Sequence, residues 1–299
     1  MANETPKLKV MKKLVLALAS LSLLASAGMA HAAMVIDDRD IPRQFSFGGA
    51  CNKCVLSGKK LTNARFTGAD FSGATMVGSD LRGAGFVGSN FQRADLTRAD
   101  LRGAEFMGSN FSWANFTGAA MDGVEGGGAN FQNANLTRVS LNGAELPASN
   151  FNSANLTGAS LRGADLPHAN MANIQATNAD FREAELVGAT LVNGRFDGAS
   201  FRNADLTAAQ LGNANLGSAD FRGADLQGAF IGGADFSRVR NLTQGQVDDA
   251  CADGATRLPA GLTPRICRGS RRIVIISNPS QPPKAPRAPA PPKEPRPPH

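Results

Sequence analysis

Between residues 56 and 236 a large apolar side chain returns at every fifth position. From Phe66 the series runs Phe71, Met76, Leu81, Phe86, Phe91, Leu96, Leu101, Phe106, Phe111, Phe116 and Met121. It resumes at Phe131 and keeps one register through Ile231 to Phe236, broken only at Gly126 and Ala176. Two places before each centre stands a small residue, mostly Ala or Ser, as at Ala64, Ala69, Ala74, Ser79, Ala84, Ser89 and Ala94. A period of five fits neither the 3.6 of a helix nor the 2 of an ordinary strand, so the pattern predicts a tandem repeat.

Individual copies sharpen that reading. Ala94-Asp95-Leu96-Thr97-Arg98, Ala114-Asn115-Phe116-Thr117-Gly118 and Ala224-Asp225-Leu226-Gln227-Gly228 share one motif. It is Ala, then Asp or Asn, then Leu or Phe, then two polar or small residues. In this the chain resembles the pentapeptide-repeat family over about three-fifths of its length. The resemblance implies an all-β fold, a right-handed quadrilateral β-helix with four pentapeptides to each 20-residue coil. Residues 20 apart should then stack, and the sequence supports it. One face would carry Phe71, Phe91, Phe111, Phe131 and Phe151, then Met171, Leu191, Leu211 and Ile231. The opposite face would carry Leu61, Leu81, Leu101, Met121, Leu141 and Leu161, then Phe181, Phe201 and Phe221. Each layer thus pairs a ring with a smaller group, as a narrow close-packed interior requires. Gly126 falls opposite Phe116, whose ring is expected to fill part of the gap. Stacked at about 4.8 Å, about nine coils make a rod about 43 Å long.

Charge is arranged in the same columns. Arg82, Arg102, Arg162, Arg182, Arg202 and Arg222 share one, and three residues on lie Glu105, Glu125, Glu145, Asp165, Glu185, Asp205 and Asp225. Arg102 with Glu105, Arg182 with Glu185, and Arg222 with Asp225 are expected to meet around a corner, relieving repulsion between stacked guanidinium groups. The stripe reads either as a self-neutralising solvated edge or as a docking surface for a partner or a polar polymer. Asn90, Asn110, Asn130, Asn150 and Asn170 form an uncharged column, as do Thr97, Thr117, Thr137, Thr157 and Thr177. Their amides and hydroxyls can bond along the rod axis. The Asn-x-Thr patterns this produces, such as Asn115-Phe116-Thr117, come from the repeat itself and are not read as glycosylation sites. Trp113, the single tryptophan, takes an outward position and is a candidate contact point.

The flanks divide the chain into segments. Lys7, Lys9, Lys12 and Lys13 precede an apolar run over 14–27 and then Ala30-His31-Ala32, the layout of a secretory signal peptide cleaved between Ala32 and Ala33. Residues 1–32 are therefore read as the signal and 33–55 as an N-terminal segment and cap. The β-helix takes 56–240, a C-terminal cap with a disulfide takes 241–268, and a basic Pro-rich disordered tail takes 269–299. Loss of four lysines and Glu4 with the leader lowers the net charge from +6 to +3. Residues 56–240 hold 15 basic and 17 acidic residues, so the rod itself is close to neutral. Thr243 followed by Gln246 predicts an N-capped short helix running towards Cys251. The stretch from Leu242 to Cys267 resembles a C-terminal module of exported pentapeptide-repeat proteins. The basic Pro-rich tail at 269–299 reads as an extended spacer, or as an arm for an acidic envelope surface or a proline-reading partner.

The four cysteines lie outside the rod, Cys51 and Cys54 before it and Cys251 and Cys267 after it. In an exported chain they read as disulfides, with Cys251–Cys267 the expected bridge. Cys51 and Cys54 are read as a tight bridge, as buried thiols plugging the end, or as a redox pair. A shared four-cysteine zinc site is excluded by the length of rod between the pairs. Past the leader the histidines are His168 and His299, and there is no tyrosine, so no histidine-centred triad or metal site can be assembled. No cofactor and no enzymatic activity are expected. The composite reading is a periplasmic or secreted scaffold that presents flat faces and a charged edge to a protein or envelope polymer. It has no membrane span in the mature chain, and self-association as a homodimer through the C-terminal cap is an expectation. Nucleic acid is not an expected partner. The alternative borrowed from the family is a DNA-mimicking, gyrase-binding protein of the quinolone-resistance type. The leader and the near-neutral rod disfavour it.

Overall fold

A computed structural model of the chain describes residues 48–267. The signal peptide with its cleavage point at Ala32 and Ala33, residues 33–47, and the Pro-rich tail at 269–299 lie outside the described residues. From Ala50 onwards the chain winds so that residue n pairs in parallel with residue n + 20, as in Asp70 with Asn90, Asp95 with Asn115, and Glu185 with Asp205. Each side of the coil contributes one bridged residue, the one before the centre. The sides are therefore shorter than the stacked strands expected. The cause is the corner: the residue two after the centre is left-handed at nearly every unit, whether Gly103 (φ 63°) or Trp113 (φ 63°), and the chain turns there every five residues. The left-handed region costs least for Gly and Asn, which explains how often they hold that position.

The unit around Leu96 shows why the motif has its form. Ala94 N–H donates to the Phe91 carbonyl (2.9 Å) inside the turn, and Asp95 N–H to Ala74 (2.8 Å) in the preceding coil. Leu96 N–H donates to Asn115 (2.7 Å) and Arg98 N–H to Thr117 (3.0 Å), both in the following coil. The remaining donor, Thr97 N–H, is met by the Asp95 carboxylate at 3.0 Å. All five backbone donors are thus satisfied, which a buried, ladder-poor backbone demands. An Asx side chain before the centre is the acceptor that completes the set. Serines in the small position are satisfied too: Ser79 Oγ donates to Met76 O at 2.8 Å and Ser149 Oγ to Gly126 O at 3.0 Å.

Inside, the centres are fully buried and their rings stack along the axis. Phe71, Phe91, Phe111, Phe131 and Phe151 follow one another at centroid distances of 5.0, 4.9, 5.2 and 4.9 Å. The ladder then changes sides to Phe181, Phe201 and Phe221, each step 5.0 Å. The gap at Gly126 is filled differently from expectation. Its occupant is Phe106, directly preceding it in the same column, and not Phe116 across the coil: a Cβ at Gly126 would stand 2.3 Å from Phe106 Cε2 and 2.9 Å from Leu146 Cδ2. A second compensation is local. The small position grows where the centre shrinks, as Val124 beside Gly126 and Ile174 beside Ala176, all buried. The reverse holds at Gly194, into whose space the Phe196 ring turns. Volume per coil is conserved although residue identities are not.

At the N-terminal end Cys51 and Cys54 form a disulfide with Cα atoms 5.3 Å apart, below the first phenylalanine of the ladder. At the other end the register slips. Phe230 pairs with Cys251 and Asp235 with Arg257, so the last coil is longer than 20 residues. The extra chain forms helix α1, Gln244–Asp249, closed by a capping box between Thr243 and Gln246. Gln246 Nε2 also donates to the carbonyls of Phe221 and Ala224, both at 2.8 Å, and Val247 is fully buried. Open carbonyls and the apolar interior at this end are covered together. Cys251 and Cys267 are disulfide-bonded, so no cysteine of the chain is free.

The packing at the Gly126 layer yields the first prediction. Gly126→Leu forces the Phe106 ring out of its place, and overpacking of this kind costs about 1–3 kcal/mol. Thermal denaturation should show a lowered midpoint, whereas an unchanged midpoint would contradict the assignment of Phe106 to that gap.

Candidate interaction faces

Because coils repeat every 20 residues, outward side chains stand in ranks, and each rank takes its chemistry from one position of the motif. Arg82, Arg102, Arg162, Arg182, Arg202 and Arg222 each follow a centre of the same side, at the start of the corner. Their ion pairs run in the direction opposite to expectation. Arg82 Nη2 meets Asp80 Oδ2 at 2.7 Å, and its Nε lies 3.7 Å from Asp100. Arg102 Nη2 meets Asp100 Oδ2 at 2.6 Å, and Arg182 Nε donates to Asp180 Oδ1 at 2.8 Å. The partner is thus the Asx residue two places before, not the acid three places after. Among the described residues Arg102 makes no ion pair with Glu105, Arg182 none with Glu185, and Arg222 none with Asp225. The reason is geometric: the aspartate already points along the turn to accept the arginine's own backbone N–H, so the guanidinium folds onto it.

That geometry also sets the acidities. Hydrogen bonds from Arg82 and Arg102 hold the Asp80 and Asp100 carboxyls below their ordinary value of 3.8. Burial pushes Asp180 up, but the side-chain and backbone bonds from Arg182 outweigh it and the carboxyl is lowered. Where the aspartate is missing the arginine is left over. Ser160 precedes Arg162 and Ser200 precedes Arg202. At Arg222, Asp220 is occupied by Asn241 (2.8 Å) and by the Arg222 backbone (3.1 Å). Arg162, Arg202 and Arg222 make no ion pair among the described residues. The short serine also leaves a shallow depression of about 280 Å³, lined by Asp180, Arg182, Ser200, Arg202, Asp220 and Arg240.

The next side carries the acids. Glu105, Glu125, Glu145, Asp165, Glu185, Asp205 and Asp225 are joined in sequence by parallel bridges, one per coil. Glu105 pairs with Arg65 at 3.0 Å, whose guanidinium lies over Gly85. From Glu125 to Asp225 the column makes no ion pair among the described residues. Asp205 and Asp225 accept the N–H of Thr207 and Gln227, each at 2.8 Å. Asp165 cannot do the same, since the residue at that place is Pro167, and its Oδ1 is buried without a partner. Beside the acids runs an apolar rank. Val87 and Met107 are exposed, and Met107 and Pro147 close over Gly127 from either side. Sequence reading missed this rank, although Val87, Met107, Pro147, Pro167 and Val187 recur at intervals of 20 or 40.

The remaining two sides are occupied with their own bonds. Asn110, Asn130 and Asn150 each donate to the amide oxygen one coil back, at 3.2, 3.2 and 3.1 Å. Thr117 Oγ1 donates to Asn115 (2.7 Å) and receives Asn135 Nδ2 (3.0 Å). Trp113 and His168 stand at left-handed corners, Trp113 exposed by 57%. Among the described residues no group of three or more His, Cys, Asp and Glu side chains could hold a metal ion, and no helix is long and apolar enough to cross a membrane.

A parallel solenoid of five-residue sides, with an Ala or Ser behind most Leu or Phe centres and an Asx side chain capping many of the turns, defines a class of β-helical repeat protein. The pentapeptide repeat signature matches in eight copies over residues 51–86, 84–123, 129–166, 154–198 and 199–238, more than half of the chain. The chain belongs to the pentapeptide repeat family, a membership that implies a right-handed β-helix. Among solved structures it is similar to HetL, a pentapeptide repeat protein involved in heterocyst differentiation regulation from the cyanobacterium Nostoc sp. strain PCC 7120. The identity is 26%, covering 74% of this chain and 90% of that one, with a TM-score of 0.53. It is also similar to full-length QnrB1, a plasmid-mediated fluoroquinolone resistance protein, at 26% identity over 60% of this chain and 92% of that one, TM-score 0.36. A pentapeptide repeat protein from the Arabidopsis thaliana thylakoid lumen gives 29% identity over 38% of this chain and 77% of that one, TM-score 0.30. No curated protein sequence matches the chain.

The ion-pair geometry yields a second prediction. A carboxyl lowered in the folded state adds stability that is present above 3.8 and is lost as pH falls through its folded value. In Arg182→Gln the opposing effect of burial on Asp180 is no longer outweighed by the guanidinium. Its carboxyl should titrate at higher pH than in the parent, read from the side-chain carboxyl 13C shift. An unmoved titration would contradict the Arg182 pairing.

Proposed function

We propose that the chain is an exported, non-enzymatic scaffold whose flat sides and charged edge bind a protein or an envelope polymer. The observation that carries this reading is that its functional groups stand in parallel ranks on flat sides and do not converge. Catalytic acids, bases and nucleophiles act from a concave, partly desolvated site that brings different groups within reach of one atom. The depression beside Ser200 holds arginines and aspartates, of which Arg182 and Asp180 are already paired. The ranks suit an extended or flat partner that meets many equivalent groups, which rewards complementarity of charge over depth of contact.

Export is supported by the oxidised state of all four cysteines, since disulfides persist outside reducing compartments. The leader at 1–32, with cleavage between Ala32 and Ala33, agrees with that address. The tail at 269–299 is then a basic spacer, and the described segment at 241–267 a cap. The gyrase-binding alternative draws on the acidic column. That column is a single rank on one side, and the adjacent side carries arginines, so the surface does not offer the two acidic backbones of a duplex.

Intact mass with and without reduction and alkylation, on protein recovered from the host envelope fraction, tests the export reading. A start near Ala33 with four blocked thiols is the expected result. An uncleaved chain in the cytosol with four free thiols would overturn it.

A further inference from the structure

We infer that the arginine side and the acidic side of this rod bind each other between copies, closing a ring of four parallel chains. Each chain carries both halves of the contact. Arg162, Arg202 and Arg222 have no ion-pair partner among the described residues, and neither do Asp165, Asp205 and Asp225. The two ranks share the 20-residue repeat, so their spacings match coil for coil. Three residues are a small fraction of a coil that rises about 4.8 Å. Arg162 of one rod therefore stands level with Asp165 of a parallel neighbour. Arg202 matches Asp205, and Arg222 matches Asp225, in the same way.

The order of ranks across each side selects the arrangement. The arginines and the acids flank the same corner, which carries Gly103, Gly123, Gly143, Gly163 and Gly223. A Cβ at the first four of these would meet nothing within 4 Å. Bare backbone there lets neighbouring rods approach closely. Glu183, beside Arg182, is the one charged residue on that corner. Docking the arginine side on a neighbour's acidic side brings the two charged ranks together next to the corner. Farther out, Ala120, Ser140 and Ser160 then face the neighbour's Gly127, Pro147 and Pro167, while Asp80, Asp100 and Asp180, each already bonded to its own arginine, face Val87, Met107 and Val187.

Sides of a four-sided coil are related by a quarter turn. A contact between adjacent, unlike sides is heterologous, and rotating each copy by a quarter turn returns to the start after four. These corners, glycine over 83–223 except at Glu183 and Asn203, then meet on the four-fold axis. Area favours closure as well. A side about 43 Å long and about 10 Å wide gives about 430 Å² per contact, from the stacked spacing and the rise per residue. Each contact alone is about half of the about 800 Å² per partner of a standard interface, and a chain in a ring makes two of them where a chain in an open pair makes one. The inference rests on the rod's surface alone and is independent of the compartment or envelope partner proposed above.

The test is native mass of the full chain by light scattering at low and high salt, on protein as the host produces it. Four chains at low salt, falling to one as salt screens the ranks, is the expected result. R162E/R202E/R222E should run as one chain. D165N/D205N/D225N should do so too, while keeping the turn-capping side chains at 205 and 225 and an unchanged circular dichroism spectrum. D205K/D225K alone should be a single chain, yet mixed with R162E/R202E/R222E it should restore the four-chain mass, because each supplies the side the other lacks. A parent chain that is monomeric or dimeric at low salt overturns the ring. Folded charge variants that keep the four-chain mass overturn the pairing of the ranks.

Discussion

Backbone hydrogen bonds between residues about 20 apart hold each coil to the next, and the rest of the molecule inherits its order from them. A bond from Leu96 N–H to Asn115 fixes the height of one coil on another and aligns every side chain in the two. Ring stacks, amide ladders and charge columns are therefore consequences of one repeated backbone contact. The demand that all five donors of a unit be met favours a short acceptor at the position before the centre. Long acids at that place, Glu105, Glu125, Glu145 and Glu185, extend outward instead, which turns a structural position into a surface one.

How much of this could be read from the chain depends on whether the feature is a matter of period or of rotamer. Period gives the columns, so Phe71 above Cys51 and Asp205 above Glu185 follow from counting. Rotamer decides that Arg102 turns back to Asp100 and not forward to Glu105, and spacing alone cannot show this because both carboxylates lie within reach of a long side chain. Phe106 leaning over Gly126 is of the same kind: the void is visible in the sequence, its occupant is not. The bridge between Cys51 and Cys54 was one of three readings compatible with their phases, and the turn between them brings the Cα atoms close enough to choose it. The unpaired oxygen of Asp165, by contrast, needed only the turn rule and the identity of residue 167.

The four sides have diverged although one backbone builds them all. Two are closed systems in which amides and hydroxyls satisfy one another along the axis. The other two carry charges that the chain itself leaves partly unmatched, towards the C-terminal half. Stability and recognition are thus separated by side, and changes on the charged sides leave the stacked rings untouched. Volume compensation between Val124 and Gly126, or Ile174 and Ala176, keeps the interior filled where the centre is small.

One consequence of the corner after every fifth residue concerns how such a chain can change length. Inserting or deleting a single five-residue unit would leave the core register intact, since every unit offers the same small residue, centre and turn. Everything downstream would nevertheless be carried a quarter of the way around the axis. Arginines from one part of the rod would continue the threonine column or the apolar rank of another, and no surface would run its full length. Only gains or losses of 20 residues preserve the sides. A lineage that keeps long uninterrupted ranks has therefore been held to whole coils, by a constraint that acts on its exterior and not on its fold.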